Sequence, residues 1–208
     1  MQPMREAFEL YEAILWEPGR GYFLLDLHME RLTRSARHFG FVCEAEKIRE
    51  ALALLAETLA SPRKVRLELS QGGALRLEAV DVKPSTPVQV ALASSPVNSS
   101  DELLRHKTSR REVYARALAA RPDVQDVILW NERGELTETC GANLVLELDG
   151  RRVTPPVSSG LLPGTYREWL LARGELAEAV LPVSALERAS GLWLVNSVRG
   201  QCELRLCR

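Results

Sequence analysis

Lysine is nearly absent from this chain: 23 of its 27 basic residues are arginine, and only Lys47, Lys64, Lys83 and Lys107 offer an amine whose charge can change. Chemistry that needs such an amine has four places to be. Cysteine and histidine are as scarce. Cys43, Cys140, Cys202 and Cys207 are scattered without Cys-x-x-Cys spacing, and His28, His38 and His106 are the only imidazoles, so neither a zinc site nor a disulfide framework is expected. Charge of one sign is not in excess either. The 27 basic and 28 acidic residues leave a formal net charge of −1, which gives no electrostatic footprint for nucleic acid or an anionic membrane. No apolar run nears the ~20 residues of a spanning helix, and the opening MQPMREAFEL lacks the apolar centre of a signal peptide. What is there is a chain of 208 residues, 46% apolar and 26% charged. It is expected to be a cytoplasmic globular protein of one large or two small domains.

Phe8 to Trp16 is an apolar, β-prone run, broken by Glu17-Pro18-Gly19-Arg20-Gly21 and resumed over Tyr22 to Leu25, which predicts a hairpin. From Leu27 the period changes. Met29, Leu32, Ala36 and Phe39 recur at helical spacing, with Gly40 as the stop. A second helix is expected from about Glu44, its stripe being Ile48, Leu52, Leu55 and Leu59. Val65, Leu67 and Leu69 then alternate with Arg66 and Glu68, and beyond Gln71-Gly72-Gly73 the alternation returns as Leu75, Leu77 and Ala79 against Arg76 and Glu78. A loop over those three residues sets Arg66 opposite Glu78 and Glu68 opposite Arg76, so register and charge agree. The strand Val88 to Ala93 is expected to close this first unit, and the Ser/Pro/Asn-rich stretch after it reads as a linker.

The second half reads as a helix from Arg110 to Ala120, a strand from Asp126 to Trp130, and a turn at Asn131-Glu132-Arg133-Gly134. Strands Leu136 to Leu148 and Arg152 to Thr154 follow, joined at Asp149-Gly150, a two-residue hairpin signal. The Gly/Pro-punctuated loop Pro155 to Gly164 feeds a short helix to Arg173. Strand Ala179 to Val183, helix Ser184 to Ala189 and strand Leu192 to Asn196 complete it. Strands and helices are mixed without the regular alternation of a doubly wound sheet, so the class is α+β. The expected division is a small α+β domain over 1–95, a linker over 96–105, and a larger α+β domain over 106–208 that carries Lys107.

Lys107 alone, at a loop-to-helix junction, reads as a solvated side chain. Downstream, Leu136-Thr137-Glu138-Thr139-Cys140-Gly141-Ala142-Asn143-Leu144 sets one carboxylate, Glu138, in an apolar strand. If buried, Glu138 needs a cationic partner, because an unpaired carboxylate costs several kcal/mol or takes up a proton. The alternatives are a solvated face or a pairing with an arginine. Gly141 suggests a bulge that brings Asn143 round to the side of Glu138. Next, Ser159-Gly160-Leu161-Leu162-Pro163-Gly164-Thr165-Tyr166-Arg167 runs from a loop into a helix, whose first free N–H groups suit a phosphate dianion. Arg31, in His28-Met29-Glu30-Arg31-Leu32, can add a planar fork. Asn196-Ser197-Val198-Arg199-Gly200 offers a hydroxyl and more backbone donors. Each feature is ordinary alone. Together they are what a lysine joined to pyridoxal 5'-phosphate (PLP) requires: an amine, an acid for the pyridine nitrogen, and an anion cradle.

The ordered series resembles the fold-type IV PLP enzymes, the class IV aminotransferases, which include branched-chain and D-amino acid aminotransferases and aminodeoxychorismate lyase. Within that family, His106-Lys107-Thr108-Ser109-Arg110-Arg111 and Asn196-Ser197-Val198-Arg199-Gly200 look most like the lyase module fused to some aminodeoxychorismate synthases. The resemblance implies that Lys107 carries the cofactor and acts as the catalytic base. It implies that Glu138 holds the pyridine nitrogen with Asn143 beside it, and that Leu162 packs on the ring. Arg31, Ser197 and the N–H groups of Thr165 and Tyr166, approached past Gly164, would then hold the phosphate. It further implies a small-molecule substrate, a homodimer, and a synthase as a possible partner.

Two positions depart from the lyase pattern. Ala13 stands where many lyases carry a threonine, and Pro96-Val97-Asn98 lacks the arginine of longer members. Arg110 and Arg111, with Asn196, are the substitutes for the lost substrate contact, or else two solvated charges in a first helical turn. The expected activity is conversion of 4-amino-4-deoxychorismate to 4-aminobenzoate and pyruvate, a step toward folate. The alternatives are a class IV transaminase of the branched-chain or D-amino acid type, and a catalytically silent module of the same fold that binds a partner.

Overall fold

A computed structural model describes residues 7–207, and the chain falls into two units. One is residues 7–82 together with His106–Arg110; the other is Lys83–Arg105 with residues 111–207. The stretch 96–105, read as a linker, thus lies inside the second unit, and the segment of Lys107 belongs to the first.

The first unit grows from the apolar run near the start. β1 (Leu10–Glu17) pairs with the short β2 (Gly21–Tyr22) and, along its length, with β3 (Arg63–Leu69), which pairs with β4 (Leu75–Asp81), all antiparallel. Arg66 stands opposite Glu78 and Glu68 opposite Arg76, as the alternation predicts. Helices α1 (Leu25–Phe39) and α2 (Ala45–Ala56) lay Met29, Leu32, Ile48 and Leu52 on Leu10, Ile14, Val65 and Leu67 of the sheet. His106–Arg110 runs beside the start of β1. Tyr11 N–H donates to the Lys107 carbonyl (3.0 Å), Ser109 N–H to the Glu9 carbonyl (2.8 Å), and Thr108 bridges Leu10.

The second unit contains, in chain order, β5 (Val88–Leu92), α3 (Glu112–Ala119), β6 (Asp126–Trp130), β7 (Leu136–Thr139), β8 (Asn143–Leu148) and β9 (Arg151–Thr154). It continues with α4 (Thr165–Ala172), β10 (Ala177–Glu178), α5 (Ala185–Arg188), β11 (Gly191–Asn196) and β12 (Gly200–Leu206). The sheet order is β10-β9-β8-β11-β12-β5-β6-β7, and β7 also pairs with β8, so six of the strands close into a ring. Val90, Ile128, Leu136, Leu144, Leu146 and Leu194 fill one core of this unit.

Three expectations are corrected here. β5 does not close the first unit; it runs parallel between β12 and β6, because alternation marks a strand but partners far along the chain choose its sheet. Leu136 to Leu148 is not one bulged strand. The chain reverses over Cys140–Ala142, Thr139 N–H donating to the Ala142 carbonyl (2.9 Å), so that Glu138 and Asn143 stand directly opposite each other. The strand expected over Ala179 to Val183 is instead the short β10 just before it. Asp149-Gly150 is the tight hairpin expected, both residues having positive φ (51° and 72°). Among the described residues no helix is long and apolar enough to cross a membrane.

Candidate active site

In the first unit, Lys107 is fixed by the backbone ladder to β1, and its Nζ lies 4.7 Å from the centre of the Tyr11 ring. The next residue of β1, Glu12, is buried and grips Arg31 of α1 in a fork: Arg31 Nε donates to Oε1 at 2.8 Å and Nη2 to Oε2 at 2.5 Å. Buried His28, one helical turn before Arg31, has its Nδ1 2.7 Å from the same Oε2. An ionised carboxylate cannot donate, so Nδ1 carries the proton. Burial pushes the Glu12 carboxyl up, but the charge of Arg31 and the hydrogen bonds of His28 and Arg31 outweigh it and hold the pKa at about 2. Burial depresses His28, against the pull of Glu12. The guanidinium expected to meet an anion is therefore held flat by a carboxylate that sequence reasoning missed. A lone acid within an apolar run, the signal that drew notice to Glu138, marks Glu12 as well.

The second unit gathers the rest. Glu138 is buried, and its carboxylate accepts from the Tyr114 hydroxyl (2.8 Å), the Leu162 N–H (3.3 Å) and the Asn143 amide (3.4 Å). Asn143 also donates to the Leu162 carbonyl (2.8 Å). The loop that delivers Leu162 is tied down in turn, Asn131 donating to the Ser159 carbonyl (2.9 Å) and Ser159 Oγ to Glu135 (3.0 Å). Tyr114, on α3, was not foreseen. It lies seven residues past Lys107 without a motif to mark it.

Gly164 caps α4 without a side-chain hydrogen bond to its first turn, which begins with buried Thr165 and with Tyr166. A Cβ on Gly164 would fall on Oδ1 of Asn143. Gly164→Ala is therefore expected to dislodge Asn143 and lower stability by about 1–3 kcal/mol, the usual cost of overpacking, as read by urea unfolding. An unchanged midpoint would remove the case for glycine there. Val195 of β11 pairs with Asn143, which brings Asn196 and buried Ser197 past the same end of β8. Asn196 Oδ1 accepts from the N–H groups of Val198 (3.1 Å) and Arg199 (2.8 Å), closing its own turn.

The two arginines after Lys107 part company. Arg110 stays in the first unit with its guanidinium 5.2 Å from the Phe8 ring centre. Arg111, in the second, stacks on Tyr114 (4.2 Å) and donates to the Cys140 carbonyl.

A model of the family described as "Amino-transferase class IV" matches residues 9–205, and the chain belongs to that family, whose members are PLP-dependent enzymes. A Schizosaccharomyces pombe protein named "Putative aminodeoxychorismate lyase" is 29% identical, over 95% of this chain and 89% of that one. Among solved structures, a Mesorhizobium loti protein named "Putative amino-acid aminotransferase" is 34% identical and superposes with a TM-score of 0.90, over 96% of this chain and 100% of that one. A Mycobacterium tuberculosis "hypothetical aminotransferase", in its α-ketoglutarate- and PMP-bound form, is 25% identical with a TM-score of 0.81, over 95% and 81%. The resemblance read from the ordered motifs is thus a family membership, with the α+β fold it implies.

Proposed function

We propose that this chain is a PLP-dependent 4-amino-4-deoxychorismate lyase, releasing 4-aminobenzoate and pyruvate. The observation that carries the reading is Glu138: a buried carboxylate oriented by a phenol, an amide and a backbone N–H is the acceptor that a pyridinium N–H requires. Two further features support the fit. The start of α4, reached past Gly164, with buried Ser197 past the end of β11, suits a phosphate dianion. Arg31, its plane fixed by Glu12, can add a charged donor.

When bound, PLP supplies an aldehyde that joins amines and a cationic ring that accepts the electrons of a breaking bond. Lys107 supplies the amine that holds it and, as a neutral base, removes the proton from the substrate carbon bearing nitrogen. Glu138 would hold the ring nitrogen in its protonated form, and Leu162 would lie against the ring. Departure of the enolpyruvyl side chain as pyruvate leaves an aromatic product. Support for lyase over transaminase comes from the named Schizosaccharomyces pombe relative and the motifs around Lys107 and Asn196. A transaminase is the second reading, favoured by Ala13 in place of a threonine and by the Mesorhizobium loti relative.

The purified protein supplied with aminodeoxychorismate alone is expected to form 4-aminobenzoate and pyruvate in equal amounts, read by fluorescence and a coupled pyruvate assay. Product that appears only with an added keto acid would make the transaminase the correct reading. A cytoplasmic homodimer, and association with a synthase, belong to the same proposal; sedimentation of the purified chain tests the first.

A further inference from the structure

We infer that Tyr114 and Arg111 are positioning residues that set the direction and acceptor strength of Glu138; this rests on the reading of Glu138 given above. Of the three donors named on that carboxylate, the Tyr114 hydroxyl is the closest, at 2.8 Å against 3.3 Å for Leu162 N–H and 3.4 Å for Asn143. Over the same phenol ring lies the Arg111 guanidinium, 4.2 Å from the ring centre. A cation on the face of a phenol draws electron density from it and makes its O–H a stronger donor. Arg111 is itself oriented, since it also donates to the Cys140 carbonyl, in the turn that follows Glu138. Cys140 N–H in turn donates to Asp126 Oδ1 (3.0 Å). Residues of α3 and its N-terminal edge thus hold both the tip of the Glu138 side chain and the backbone two residues on.

The chemical consequence follows from hydrogen bonding to an ionised acceptor. A carboxylate that accepts a strong O–H bond is a weaker base, so a proton shared with the ring nitrogen stays on nitrogen, where it keeps the ring electron-poor. Arg111 acts on Glu138 through Tyr114, and its part in the reaction is exerted there.

The test compares PLP with its deaza analogue, in which C–H replaces the ring nitrogen, by measuring dissociation constants for the full chain. Wild type is expected to bind PLP more tightly than the analogue. Tyr114→Phe should weaken PLP about tenfold, because Glu138 loses the hydrogen bond that aims its carboxylate at the ring nitrogen, while the analogue, which offers Glu138 nothing, shifts less than about twofold. Arg111→Met should weaken PLP by about threefold with the same selectivity, and Arg111→Lys should restore part of it. The absorption maximum of bound PLP should move in Tyr114→Phe and stay in Arg111→Lys. An equal loss for both ligands means that Tyr114 only packs, and no loss means that it has no role; either overturns the inference. If wild type itself binds the two alike, the role of Glu138 falls first and the inference with it. Thermal melts of both variants in the absence of ligand separate any folding defect from these outcomes.

Discussion

Lys107→Ala is expected to lower turnover by roughly four orders of magnitude, the upper end of what a positioned base supplies, and to abolish the visible absorption of added PLP. The scarcity of lysine makes this a sharp test. Borohydride reduction of the PLP-loaded wild type, followed by proteolysis and mass spectrometry, should place the cofactor's mass on the peptide with Lys107 and on none of those with Lys47, Lys64 or Lys83. Lys83, exposed on the second unit, serves as the control substitution. The fold should survive the change, because the segment is held by its backbone through Tyr11 N–H, Ser109 N–H and the Leu10–Thr108 bridge, which an alanine side chain leaves intact. A variant that keeps its visible band would refute covalent attachment there. One that loses the band yet keeps its turnover would separate the cofactor from the reaction.

Local signals in this sequence are legible where the interaction is itself local. Opposite charges two residues apart on facing strands fix the register of β3 and β4, and Asp149-Gly150 fixes the hairpin of β8 and β9. The neighbourhood of Glu138 and Asn143 is also right, though for another reason. A bulge and a chain reversal both bring residues five apart to one side, and only the hydrogen bond from Thr139 to Ala142 tells them apart. β5 fails because its partners, β6 and β12, lie far along the chain. β12 itself is legible: after Gly200, Cys202 and Leu204 alternate with Gln201, Glu203 and Arg205, and the first two are buried while the other three are exposed. Among the candidate site residues, Arg31, Lys107, Glu138 and Ser197 stand out by motif. Glu12 carries the same lone-acid signal as Glu138, whereas Tyr114 carries none, because its place is set by a partner on another element.

Glu12→Gln is expected to cost about 3–5 kcal/mol of stability at pH 7, as breaking a buried ion pair does. Arg31 keeps its charge in a buried place while losing the carboxylate that holds both Nε and Nη2. The pH dependence gives an independent check. In the folded chain the Glu12 carboxyl is held at about 2 rather than 4.5, so its ionised form contributes about 3 kcal/mol that is fully present above the unfolded value and lost as pH falls through the folded one. His28 adds to acid sensitivity, since its folded pKa lies below 6.5. An unfolded chain takes up that proton first, and stability begins to fall as pH drops below about 6.5. Wild type should therefore lose stability in two stages, one starting near neutrality and one between about pH 5 and 2. Glu12→Gln should lack the second, so that the gap between the two proteins, widest at pH 7, narrows toward pH 2. Guanidinium unfolding at pH 7, 5 and 3 measures it. A gap that stays constant across that range would mean that the carboxyl group is not held ionised by Arg31 and His28, and that the triad is not the anchor of α1 on β1.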